Sequence, residues 1–97
     1  MDDNLVVKMM VEKGIKTLEK RIRVLGPWEE VVGTLDDLHL SDDKDEFHVE
    51  IGSVGVFEFM SFEKGYTDLL NAIAEIPKGS KIGILRTDDG YKVRVIE

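Results

Sequence analysis

The chain has 97 residues, a formal net charge of −7, 42% hydrophobic residues and no cysteine. One domain with a modest core is the bound on size, and disulfides, a thiolate nucleophile and Cys-ligated zinc are excluded. The acidic balance disfavours generic binding to nucleic acid, because phosphate backbones call for a basic footprint.

The longest apolar stretch, near residues 5–11 and interrupted by Lys8, is too short to span a bilayer. The opening Asp2-Asp3 lacks the basic start of a secretory signal, so no membrane association and a cytoplasmic location are expected. The absence of glutamine and the 34% content of charged residues make the composition thermophile-like.

In chain order, Asp2 or Asp3 can cap a first short helix and Gly14 can end it, which predicts a helix near residues 3–13. A hairpin turning at Lys13-Gly14 is the competing reading. Arg21-Ile22-Arg23-Val24 alternates like a strand that ends about Leu25. Gly26-Pro27 breaks the chain. Glu29 to Leu40 then reads as a strand with an interruption near Gly33, since glycine inside a strand often marks a bulge or bend.

The polar run Ser41 to Glu46 follows, and the residues on either side of it set their own register. With Leu40 opposite Phe47, Leu38 meets Val49, His39 meets His48 and Asp37 meets Glu50. One face is then apolar and the other carries both histidines and two carboxylates; a slip of one residue would scramble the sorting. Gly52-Ser53-Val54 makes the next turn. The strand Gly55 to Met60 then sets Phe59 against Phe47 and Phe57 against Val49.

A helix is predicted over Thr67 to Ile76, with Thr67 or Asp68 as N-cap and Leu69, Leu70, Ile73 and Ile76 as its apolar stripe. Pro77-Lys78-Gly79 ends it. A terminal hairpin joins Lys81 to Thr87 with Tyr91 to Ile96. A three-residue loop, Asp88-Asp89-Gly90, would pair Leu85 with Val93 and Thr87 with Tyr91.

The predicted class is α+β: a mostly antiparallel, curled sheet or partly open small barrel with two short helices. The β-β-β-α-β-β core resembles the OB strand order.

Two surface constellations stand out. His39, His48 and Glu58 fall side by side on neighbouring strands, and two histidines with a carboxylate are a ligand set for zinc or another divalent metal. The same histidines could instead sense pH. Arg21 and Arg23 on one strand, with Arg86, Lys92 and Arg94 on one face of the terminal hairpin, could form a basic track. With Trp28 or Tyr66 as a stacking ring, that track would suit single-stranded nucleic acid. Outward charges on solvated strands explain both patterns more simply.

Frames for catalysis are missing. Gly52-Ser53-Val54-Gly55 lacks the nucleophile-elbow pattern, Gly79-Ser80-Lys81 lacks the full phosphate-loop spacing, and the acidic turn lacks the EF-hand frame. The expected function is therefore a small non-catalytic binding or assembly module. It is expected to be homo-oligomeric, with residues 5–11 packed against another subunit.

Overall fold

Alternating apolar residues along the middle of the chain build one buried face, and the rest of the architecture follows from it. The structure, a computed structural model, describes residues 22–96. Their elements are β1 (Ile22–Arg23), β2 (Glu30–Leu40), β3 (Glu46–Ile51), β4 (Gly55–Met60), α1 (Tyr66–Ala74), β5 (Lys81–Thr87) and β6 (Gly90–Ile96). They form a 6-stranded sheet in the order β1-β4-β3-β2-β5-β6. Every ladder is antiparallel except that between β1 and β4. The strands β2, β3 and β4 make a meander, and β5 returns beside β2, which is a Greek key.

The central register is as the alternation dictates. Leu40 pairs with Phe47, Leu38 with Val49, His39 with His48 and Asp37 with Glu50. Phe47 pairs with Phe59 and Val49 with Phe57. Phe47, Val49, Ile51, Phe57 and Phe59 are fully buried, joined by Ile82 and Ile84 from β5 and by Leu69 and Ile73 from α1. Leu70 flanks that core from the helix, as does Ile76 from beyond it, because the helix ends at Ala74, two residues short of the expected Ile76.

The strand β2 is shared by two half-sheets. Its residues from Glu30 to Thr34 pair with β5, and those from Leu35 to Leu40 pair with β3. The strand runs unbroken through Gly33; the irregularity lies between Leu35 and Asp37, two residues later than expected. In a regular strand these two side chains would share a face. The bulge lets Leu35 enter the core while Asp37 stays outside. Gly33 instead makes room for a neighbouring strand, since a Cβ there would stand 2.6 Å from Ile51 Cγ2.

The sheet is curled but open. Phe59 of β4 meets Tyr91 of β6 edge-on at 5.1 Å, although three strands separate β4 from β6 in the sheet order. No ladder joins them, so the barrel does not close.

Other expectations are amended. One helix is present among the described residues; the helix expected near residues 3–13 lies outside them. The helix α1 begins at Tyr66, and its N-cap is Gly65 at φ +80°, not Thr67 or Asp68. Tyr66 is thereby drawn into the core instead of the preceding loop.

The terminal hairpin is also one residue shorter in its loop. Thr87 pairs with Gly90, Arg86 with Tyr91, Leu85 with Lys92 and Ile84 with Val93. Thr87 Oγ1 accepts a bond from the Asp89 N–H and donates to the Gly90 carbonyl, which holds Asp88-Asp89 as a tight turn. Gly90 therefore belongs to the strand. Its backbone, at φ +141°, lies against Gly65, where a Cβ on Gly90 would come within 3.2 Å of Gly65 Cα.

Phe47 stacks on Phe59 at 5.1 Å and touches Tyr66 at 5.2 Å, so it ties sheet to helix. Phe47→Ala is expected to cost about 3–5 kcal/mol of unfolding free energy by urea denaturation. A loss below about 1 kcal/mol would show that the site collapses around the cavity.

Tyr91 donates its hydroxyl proton to Glu63 Oε1 at 2.8 Å. Burial, and then that carboxylate, push the hydroxyl well above the usual tyrosine range. The folded state thus holds the proton more tightly than the unfolded chain. The resulting stability is complete below about pH 10 and is lost as pH rises toward the folded value. Burial shifts Tyr66 in the same direction. Unfolding free energy should therefore fall between about pH 9.5 and 11, and Tyr91→Phe should flatten that fall without abolishing it. An unchanged slope in the variant would remove Tyr91 from the account.

An acidic histidine face as candidate site

Side chains of paired residues share a face of the sheet. The register therefore collects Asp37 and His39 from β2, Glu46, His48 and Glu50 from β3, and Val56, Glu58 and Met60 from β4 on the side away from the core. Ile22 of β1 joins them beside Val56. The opposite side of the same strands is the buried face, so packing beneath fixes where these polar groups stand.

Glu46 and Glu58 flank His48. Glu58 is the cross-strand partner of His48, and Glu46 lies two residues before it on the same strand. His48 Nε2 is 3.5 Å from Glu46 Oε2. One ligand atom from each of Glu46, His48 and Glu58 lies within 4.8 Å of the other two. All three side chains are half-buried.

His39 is indeed the cross-strand neighbour of His48, but that close group consists of the other three residues. His39 instead lines a shallow depression of about 170 Å³ with Asp37, His48, Glu50 and Val56. Glu46 is absent from the expected ligand set because in the sequence it closes the acidic turn. Its alternation with His48 was the available signal.

Lys78 Nζ sits 3.0 Å from Asp37 Oδ1 at the margin of this face. That bond, with the Leu38 N–H next in effect, holds the Asp37 carboxyl below its ordinary value. The loop from Ser41 to Asp45 borders the same strands. There Asp43 accepts from the Asp45 N–H and from Ser41 Oγ, and these bonds lower its pKa.

Of the basic residues expected to form a track, Arg23, Arg86 and Arg94 have local partners among the described residues. Arg21 lies outside the described residues. Arg23 lies over the Phe57 ring at 5.0 Å and 3.8 Å from Glu29. Arg94 Nε donates to Glu30 Oε2 at 3.2 Å. Arg86 donates through Nη1 to the Leu25 carbonyl at 2.7 Å.

The one-residue change in the hairpin register also flips faces. Arg86 shares its face with Tyr91, whereas Lys92 and Arg94 occupy the other. Of the two rings expected to stack bases, Tyr66 is buried at 8% exposure. Trp28, at 60% exposure, donates its Nε1–H to Asp88.

Among the described residues, no helix is long and apolar enough to cross a membrane. Comparison with protein-family models, with curated proteins and with solved structures finds no match for this chain.

Proposed function

We propose that this domain is a small non-catalytic binding and assembly module whose working surface is the acidic face of β2, β3 and β4, and whose partner is a basic protein segment. The observation that carries the reading is the convergence of Asp37, Glu46, Glu50 and Glu58 on one face of the sheet. A field of one sign over a sheet face attracts groups of the other sign and repels phosphate.

The strand order supports the choice of surface. Counting β2 to β6 as five strands around a Greek key, the arrangement is OB-like. Modules of that kind meet their ligands on the second and third strands and on the loops after the first and fourth. Here those are β3 and β4, the loop with Asp42, Asp43 and Asp45, and the turn Asp88-Asp89. The strands and both loops are acidic, which argues for a cationic partner and against nucleic acid.

Fluorescence anisotropy at low salt, with a labelled oligolysine and a single-stranded oligonucleotide of equal length, tests this reading. The peptide should bind with salt-sensitive affinity. Combined Glu46→Gln, Glu50→Gln and Glu58→Gln substitutions should weaken it by about tenfold or more, since each ion pair in water is worth about 1 kcal/mol. Oligonucleotide binding that disappears in Lys92→Ala with Arg94→Ala would overturn the reading.

Assembly has its own support at the sheet edge. Ile22 in the two-residue strand β1 and Val24 just after it are 54% and 53% exposed. Residues 5–11, expected at the subunit contact, lie outside the described part of the chain. Light scattering should report a dimer or larger species, reduced toward monomer by Ile22→Glu. A wild-type particle of 11.0 kDa at high concentration would remove self-association from the proposal.

A further inference from the structure

We infer that Glu46, His48 and Glu58 form a divalent-metal site of the zinc class on β3 and β4. The inference rests on the reading of this face as a surface for cationic ligands, and it names a ligand that needs no partner protein.

Backbone geometry sets the three positions. Glu46 and His48 are separated by one residue on β3, so both point outward. Glu58 is locked opposite His48 by the β3–β4 ladder. Their core-facing neighbours Phe47, Val49, Phe57 and Phe59 are buried at 1% exposure or less, which holds both strands rigidly beneath the site.

Donors around a tetrahedral zinc, with bonds of about 2.0–2.1 Å, lie roughly 3.3 Å apart. His48 and Glu46 are already at 3.5 Å. The full group spans no more than 4.8 Å, so closing it onto a metal asks only for small rotations of two glutamate side chains. No backbone movement is needed.

Charge supplies the second argument. Asp37, on the same face, is neutralised by Lys78. Among the described residues, no Lys or Arg forms an ion pair with Glu46 or Glu58. Two half-buried carboxylates therefore stand beside one imidazole with no fixed cation between them, and a bound dication relieves their repulsion.

The donor set selects the metal. A nitrogen donor with two carboxylates suits zinc and its neighbours, whereas calcium takes six to eight oxygens. Three protein donors on an open sheet leave the remaining position to water. The expected His39/His48/Glu58 set is thus replaced by one in which Glu46 takes the place of His39.

The test uses the full chain, purified without a His tag and stripped with chelator. Zn²⁺ is the probe, in isothermal titration and in thermal melts. One zinc per chain should bind and raise the melting temperature, because a ligand of the native state stabilises it by mass action. His48→Ala, Glu46→Gln and Glu58→Gln should each weaken binding by about tenfold or more, in line with the loss seen when metal sites are disturbed. His39→Ala should stay within about twofold of wild type on that scale.

The two Glu→Gln variants keep side-chain volume, and their metal-free melting temperatures check that they fold. No zinc binding by the wild type would overturn the inference. So would binding that survives Glu46→Gln but is lost in His39→Ala. Oligolysine binding measured with chelator present separates the two proposals: if it persists while zinc fails, the acidic surface stands and the metal site falls.

Discussion

A row of four aromatic rings holds this domain together. Tyr66 of α1 touches Phe47 of β3, Phe47 stacks on Phe59 of β4, and Phe59 meets Tyr91 of β6 edge-on, each contact between 5.1 and 5.2 Å. Offset and edge-on contacts at this spacing are the arrangements that ring quadrupoles favour. The row joins the meander, the helix and the last strand, which are distant in sequence. It also draws the two arms of the open sheet toward each other where no backbone ladder does so. Both tyrosines carry a polar tip to a partner at the end of the row: Tyr66 to the Lys44 carbonyl and Tyr91 to Glu63.

The polar face is a consequence of that core. Strand side chains alternate, so burying Phe47, Val49, Phe57 and Phe59 forces Glu46, His48, Glu50 and Glu58 outward onto a surface that the core holds in place. The bulge between Leu35 and Asp37 serves the same division from β2, placing a leucine inside and an aspartate outside where regular pleating would put both together. Acidic groups crowded on a rigid face cannot relax far apart. That constraint is the physical basis of the proposed preference for cationic ligands, because a field of one sign attracts groups of the other.

Basic residues fare differently because carboxylates and carbonyls elsewhere take them up. Arg94 is engaged by Glu30, Arg23 by Glu29 and the Phe57 ring, and Arg86 by the Leu25 carbonyl. Exposed pairs of this kind add little stability. The net charge of the chain points the same way.

The sequence by itself determined the register of the two central hairpins, the helix stripe of Leu69 and Ile73, and the pairing of His39 with His48. In the hairpins an apolar–polar alternation admits one alignment, and any slip would bury charge; in the helix, apolar residues four apart mark the buried side. Tertiary structure decided what that pattern does not encode. The terminal hairpin took a two-residue loop because Gly90 is needed in the strand, where its bare backbone meets Gly65. This contact joins residues 25 positions apart, and no local turn preference contains it. Gly33 likewise answers to the side chain of Ile51 on the neighbouring strand, not to a bend in its own. Whether Glu46 or His39 completes the group around His48 depends on side-chain reach across a twisted sheet. Residue spacing places both histidines and both glutamates on one face, and only their positions in three dimensions separate the members of that group from its neighbour.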